Sequence, residues 1–312
     1  MAAEPATVGI VGVGQMGLAM ALRLRECGVA VVVRDIDPAR ESLAADAGAV
    51  VAASAAALAA RCALVIVAVV DGAQTRAVLF DEGVAAALPP GGCVMLCPTI
   101  APADVEAAAA ALDAGGRDWL DAPMSGGPLR ARAGTMSLML AGADAVVARW
   151  QPLLLQLSSA IVRIGSRAGD GARTKLVNNL LAAVNLAGAA EALALAVRLG
   201  LDPARTLEVF ECSSGQSWIG SDRLRRALAD DRAPQAHLGL LAKDSALALA
   251  AAAEAGFDAP VGAAAAARFA AACAAGLARA DDATLWRLAL VEHGVQREAD
   301  GEQHARAVAG GG

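Results

Sequence analysis

Within the apolar run GDGARTKLVNNLLAAVNLAGAAEALALAVRLG, residues 169–200, stand Lys175, Asn178, Asn179 and Glu191. Lys175 and Asn179 are four apart, so on a helix they share one face one turn apart, with Asn178 beside them. An ammonium and an amide buried without partners are costly. Lining a cleft between two domains they would find partners, and a desolvated lysine there can take and return a proton. A solvent-facing helix start is the plainer reading of the same residues. A membrane span would leave these groups and Glu191 in hydrocarbon, an expensive arrangement.

A second group of residues says what such a proton transfer would serve. GIVGVGQMGLAMALRL sets Gly12, Gly14 and Gly17 in GxGxxG spacing, with Gln15 and Met16 between, after an expected strand and at the head of an expected helix. Glycine there permits a tight turn, close approach of the backbone to a pyrophosphate, and close packing of helix on strand. The next expected strand ends in Asp35, at the distance where an acid meets an adenosine ribose. Its two oxygens would accept both ribose hydroxyls and repel a 2′-phosphate, so NAD is expected ahead of NADP. Arg34 beside it either pairs with such a phosphate or is a solvated charge. The bland reading of the glycines is an ordinary turn with no ligand.

Hydride transfer from an alcohol needs a group that takes the hydroxyl proton. The chain has no tyrosine, and its three histidines, His237, His293 and His304, all lie beyond residue 236. They read best as surface positions, which leaves Lys175. A third segment, DAPMSGGPLRARAGTMSLMLAG at residues 121–142, puts Ser125, Gly126 and Gly127 in a small-residue turn after a strand, where a hydroxyl and bare amides can surround a carboxylate. By itself such a turn is only a loop.

The elements that must position these residues follow from the pattern. Short β-branched or apolar runs alternate with helical segments through the first half, the signature of βαβ units and a parallel sheet. Strands are expected at 7–12, 30–35, 63–70 and 93–97, with more near 118–121, 137–141 and 161–164. From about residue 170 to 295 long alanine- and leucine-rich segments broken by GLDP, ECSSGQS and AGFDAP predict helices alone. The reading is an α/β Rossmann domain over 1–168, an all-helical substrate and dimerisation domain over 169–298, and a flexible tail over 299–312.

Composition agrees. At 312 residues and 31.0 kDa two domains are expected, and a net charge of -6 offers no basic stripe for nucleic acid. The 57% hydrophobic fraction is largely alanine, with 3% aromatics, so neither a membrane nor a signal segment is expected and the location reads as cytoplasmic. Six scattered cysteines with no CxxC pair give no zinc spacing, and no metal is expected.

Taken together, GVGQMGLAMA, PTIAP, DAPMSGG with AGTMSLMLAG, GDGARTKLVNNLL, EALALAVRLGLD, SSGQSW and AKDSALAL resemble the β-hydroxyacid dehydrogenases from about residue 7 to 290. The resemblance implies the two-domain architecture of 6-phosphogluconate dehydrogenase and a homodimer or homotetramer formed through the helical halves. It implies Lys175 as acid and base with Asn179 orienting the hydroxyl. Ser125, Gly126 and Gly127 would hold the substrate carboxylate, near Asn178. Val69, Val70 and Thr99 would lie by the nicotinamide side, and Lys243 would close over the cofactor.

Two departures stand out: Leu96, Cys97 and Pro98 precede Thr99 where the family commonly has Asp-x-Ser, and Asp71 stands where it commonly has proline. The function expected is NAD-dependent interconversion of a small 3-hydroxy acid and its 3-oxo acid or semialdehyde. The alternatives are an NADPH-dependent reductase of an aldehyde acid or imine, and a noncatalytic dinucleotide-binding protein. Ser214, Gln216 and Trp218 either line the pocket or form a helix-to-helix turn with a packed tryptophan.

Overall fold

The computed structural model describes residues 7–231 and 235–294, so the tail expected over 299–312 lies outside the described residues. The chain divides into two compact units, residues 1–177 and 178–312.

In the first unit the valine-rich runs become strands because β-branched side chains pack well on a pleated surface. They are β1 (Val8–Val11), β2 (Val31–Arg34), β3 (Val50–Val51), β4 (Leu64–Val67), β5 (Cys93–Leu96), β6 (Asp118–Asp121), β7 (Met124–Ser125), β8 (Met136–Ala141) and β9 (Ser158–Gly165). Their order is β3-β2-β1-β4-β5-β6-β8-β7, with β9 on β8. From β3 to β6 every pair is parallel, whereas β8 runs antiparallel to both β6 and β7. Neither two-residue strand, β3 nor β7, was expected, being too short to show a period of two.

Side chains alternate across the sheet, and both faces are covered. Val8, Ile10, Ile66 and Met95 point into one core with Met20, Leu24, Leu140 and Trp150. Val11, Val65, Val67 and Val94 point into the other with Leu58, Leu79 and Leu112. Burial on both faces is why these runs read as continuous hydrophobic stretches in the sequence. Chain order reverses between β1 and β4, which makes their C-terminal ends the crevice where α/β sheets take ligands.

The second unit is helical. It comprises the distal part of the helix Asp170–Arg198, then Pro203–Cys212, Trp218–Leu228, Leu238–Glu254, Pro260–Ala272 and Thr284–Glu292. Capping residues mark the starts: the Asp202 side chain accepts from Arg205 N ahead of Pro203, and Ser217 accepts from Gly220 N. Such caps are worth about 1 kcal/mol each. The core gathers Leu186, Leu193, Leu224, Phe269 and Trp286. Against it sit two ion pairs, Arg223 to Asp282 at 2.6 Å and Arg226 to Asp281 at 3.1 Å.

The helix Asp170–Arg198 has 29 residues, a length of about 43 Å at 1.5 Å per residue. The division between the units falls inside it, between Val177 and Asn178.

Candidate active site

The first unit builds a bare backbone cradle. Strand β1 ends at Val11, and Gly12 turns the chain with φ +89 before Gly14 caps the helix Gln15–Glu26. A Cβ on Gly12 would stand 2.7 Å from the Ala68 carbonyl oxygen, and one on Gly17 only 1.8 Å from the Gly12 carbonyl oxygen. Strand end and helix start therefore touch with no room for a side chain. The helix N-terminus opens on this surface, and its dipole favours an anion there. These are the properties a dinucleotide pyrophosphate needs, so Gly12, Gly14, Gln15, Met16 and Gly17 fit such a group.

Asp35 follows β2 and reaches back to the cradle. Its Oδ2 accepts the Val13 N–H at 2.6 Å and its Oδ1 the Asp37 N–H at 2.9 Å. Arg34 is paired: its Nη1 donates to Glu41 Oε1 at 2.8 Å, and the same oxygen accepts the Asp35 N–H at 2.9 Å. Glu41 is buried, at 7% exposure, and was missed in the sequence because nothing in its spacing singles it out.

Val69 lies beside Gly12, its Cγ1 3.1 Å from where a Gly12 Cβ would stand, whereas Val70 is half exposed. Asp71, the departure from proline, caps the helix Gly72–Arg76 by accepting the Gln74 N–H at 2.8 Å. Thr99 follows β5 and is partly exposed, while Leu96, Cys97 and Pro98 before it are buried. Leu96 and Cys97 pack into the two opposite cores, so this departure from the family pattern is absorbed as packing. Burial pushes the Cys97 thiol up to about 12, which removes it as a nucleophile.

The small-residue turn closes β7. Gly126 and Gly127 have φ +122 and +72, conformations that side chains rarely adopt, and the helix Gly127–Ala133 follows. A residue the sequence reading passed over lies here. Arg130 runs its stem along the turn, its Cδ 2.9 Å from a Cβ built on Gly126, and its Nε donates to the Thr135 carbonyl at 2.9 Å. The signal was present in SGGPLR, a cation three residues into the helix.

Lys175 and Asn179 do share the buried face of one helix, each 7% exposed. The helix start is held by Asp121 at the end of β6. Its Oδ2 accepts the Ala172 N–H at 3.2 Å, and a Cβ on Gly171 would stand 2.8 Å from its Cγ. Burial raises the Asp121 carboxyl to about 6, against backbone N–H groups that favour its charge.

In the second unit Asn179 donates through Nδ2 to Asp244 Oδ2 at 2.6 Å, and Asn178 donates to Asn179 Oδ1 at 3.0 Å. Asp244 is 6% exposed, and Lys243 Nζ stands 2.7 Å from its other oxygen. Asp244 was not foreseen, although its neighbour in AKD was. Asn178 itself is exposed, since adjacent helix positions point about 100° apart. Ser214 and Gln216 are exposed in the turn between two helices. Trp218 is 54% exposed, so it is not a packed core residue; the Arg223 guanidinium lies 5.9 Å from its ring centre.

The first unit thus holds a bare backbone cradle and a glycine turn beside Arg130, and the long helix carries a buried lysine with a buried amide one turn on. Comparison with known proteins gives the family. Residues 7–165 match the family described as the NAD binding domain of 6-phosphogluconate dehydrogenase. Residues 169–289 match the one described as NAD-binding of NADP-dependent 3-hydroxyisobutyrate dehydrogenase. An L-threonate dehydrogenase of Cupriavidus necator is 36% identical over 282 residues, 90% of this chain and 95% of that protein. A 3-hydroxyisobutyrate dehydrogenase of Pseudomonas aeruginosa is 37% identical over 212 residues, 68% of this chain and 71% of that protein. A crystal structure of 3-hydroxyisobutyrate dehydrogenase from Salmonella typhimurium superposes with a TM-score of 0.84 at 35% identity, covering 91% of this chain and 99% of that one. With both halves matched in order and a relative this similar over most of its length, the chain belongs to the β-hydroxyacid dehydrogenase family.

Proposed function

We propose that this NAD(P)-dependent dehydrogenase oxidises a small polyhydroxy acid, with L-threonate the first candidate, NAD the preferred cofactor and Lys175 the acid and base. The observation that carries the proposal is the pairing of buried Lys175 with buried Asn179 on one helix, in a chain without tyrosine. L-threonate enters through the similarity to dehydrogenases named for it.

A bound nicotinamide supplies the hydride acceptor. Lys175, as the free amine, takes the hydroxyl proton on Nζ and returns it from there in the reverse direction. Asn179 orients that hydroxyl, its amide held by Asp244 on one side and Asn178 on the other. The Ser125 hydroxyl and the N–H groups of Gly126 and Gly127 hold the carboxylate, with Arg130 supplying positive charge beside them. Fixing the carboxylate and the hydroxyl together selects which carbon gives up hydride. On the cofactor side Asp35 accepts the ribose hydroxyls, Val69, Val70 and Thr99 border the nicotinamide, and Lys243 contacts the dinucleotide.

The assembly is read as a soluble, cytoplasmic homodimer or homotetramer. Two helices, Asp170–Arg198 and Pro260–Leu277, are long and apolar enough to cross a membrane. Their buried Leu186, Leu193 and Phe269 support a role as core helices instead. Exposed Val177, Leu181 and Leu195 on the long helix support burial against another copy. All six cysteines are free, which suits a reducing compartment.

The test is the initial rate of NADH formation with L-threonate, 3-hydroxyisobutyrate, glycerate and 3-hydroxypropionate, run in parallel with NADP. Turnover of L-threonate is the expected result. Because it carries hydroxyls on C2, C3 and C4, product analysis then identifies the carbon oxidised. Silence across the panel with both cofactors overturns the substrate assignment.

A further inference from the structure

We infer that Glu41 is a specificity-determining residue for the cofactor: it clamps Arg34 and so keeps a 2′-phosphate from using that guanidinium. The inference rests on the reading that the Gly12 to Gly17 cradle holds a dinucleotide whose adenosine ribose meets Asp35.

An arginine at the end of the second strand of a Rossmann unit is what a 2′-phosphate requires, since a guanidinium offers paired N–H donors to phosphate oxygens. This chain has that arginine, yet it is committed. The helix Pro38–Asp46 is capped by Asp37, which accepts the Ala39 N–H, and Pro38 opens its first turn. That start places Glu41 under the strand end, where its side chain is only 10% exposed. A carboxylate so buried needs its charge matched, and a single oxygen, Oε1, serves both Arg34 Nη1 at 2.8 Å and Asp35 N at 2.9 Å. The clamp therefore fixes two things at once: the direction of the Arg34 side chain and the backbone from which Asp35 reaches to Val13.

A second guanidinium is close. Arg40 Nη1 lies 2.8 Å from where a Cβ on Gly14 would stand, and Arg40 Nε is 3.4 Å from Asp37 Oδ2. Around this corner of the cradle stand the carboxylates of Asp35, Asp37 and Glu41 against the guanidinium groups of Arg34 and Arg40. Each arginine has a carboxylate partner, and one carboxylate is left in excess. Ile36, between Asp35 and Asp37, is 91% exposed and adds no charge. A ribose 2′-hydroxyl needs only an acceptor here. A 2′-phosphate must instead draw Arg34 away from Glu41, and that strands a buried carboxylate without its cation.

The test is fluorescence titration of purified full-length protein with NADH and with NADPH, alongside KM for NAD and NADP. The wild type is expected to bind NADH more tightly. E41Q keeps an acceptor for the Asp35 N–H and loses the charge that holds Arg34, so NADPH affinity should rise by about tenfold while NADH affinity changes by less than about twofold. In R34A/E41Q the gain should vanish, because the freed arginine is its source. An unchanged ratio of NADPH to NADH affinity in folded E41Q overturns the inference, as does a gain that survives removal of Arg34. Should E41Q fail to fold, E41D draws the carboxylate back by one methylene and is expected to shift the ratio the same way by less; no shift overturns the clamp. A wild type that binds neither nucleotide overturns the dinucleotide reading itself and the clamp with it.

Discussion

The Asp121 carboxylate accepts the backbone N–H of Ala172 at 3.2 Å, so the end of strand β6 is fastened to the first turn of the helix that bears Lys175. Gly171 makes the fastening close, because any side chain there would meet Asp121. Lys175 lies three positions after Ala172 on the same helix, so the carboxylate sets where the lysine emerges.

That contact predicts a pH dependence. Burial is the largest cause of the Asp121 shift and raises its folded value to about 6, above that of an unfolded aspartate. A raised folded value means the folded state holds the proton more tightly. Its stabilising contribution is therefore complete below the unfolded value and is lost as pH rises through about 6. D121N keeps an acceptor and does not titrate. Its stability relative to wild type should improve between pH 4 and pH 7 by about 2.4 kcal/mol, at about 1.4 kcal/mol per unit of displacement. Paired thermal melts across that range measure it, and a difference that stays flat with pH refutes the assignment.

Lys175→Ala should lower kcat/KM by about 10²- to 10⁴-fold, the usual worth of a positioned acid or base. NADH binding and the melting temperature should stay close to wild type. Lys175→Arg should fail equally, since a guanidinium does not give up its proton near neutral pH. Turnover of either variant at the wild-type rate, with the fold intact, would remove the lysine from the mechanism.

Gly17→Ala tests the cradle by geometry. Its new methyl would fall 1.8 Å from the Gly12 carbonyl oxygen, so the helix start must move and NADH affinity should drop by more than about tenfold. Gly28→Ala is the control: φ is +80 but nothing lies within 4 Å of the added Cβ. It should cost about 1 kcal/mol of stability and leave NADH binding alone. Equal loss of binding in the two variants would mean that general destabilisation, not the cradle, sets affinity.

Arg130→Ala should raise KM for the hydroxy acid by about tenfold with little change in NADH affinity, because charge-assisted contact to a carboxylate is lost. The corresponding amide of the substrate separates this from a packing effect. Wild type and variant should handle the amide alike, and a persistent difference would assign Arg130 to turn stability alone.

Much of this was legible in the residues. The glycine spacing, the acid ending β2 and the buried lysine face follow from local pattern, since strand period, helix period and positive-φ glycines are encoded within a few neighbours. What escaped was set by distance along the chain. Asp244 meets Asn179 across 65 residues, and Asp121 meets Ala172 across 51. Glu41 is near in sequence, but its role depends on the helix that turns it under β2. Asn178 was grouped with Asn179 by identity, whereas the helix sends adjacent side chains to different faces. Leu96 and Pro98 stand where the family pattern has its polar residues, and alternation along β5 carries Leu96 and Cys97 into opposite cores.

The two tryptophans buried in the separate cores have a practical use. Trp150 is 5% exposed in the first unit and Trp286 is wholly enclosed in the second, in a chain with four tryptophans and no tyrosine. Intrinsic emission therefore comes from indole alone. Replacing Trp119 and Trp218 by phenylalanine leaves one optical reporter in each half. Removing Trp150 or Trp286 in turn then shows whether the halves melt in one step or two, and which of them NADH protects.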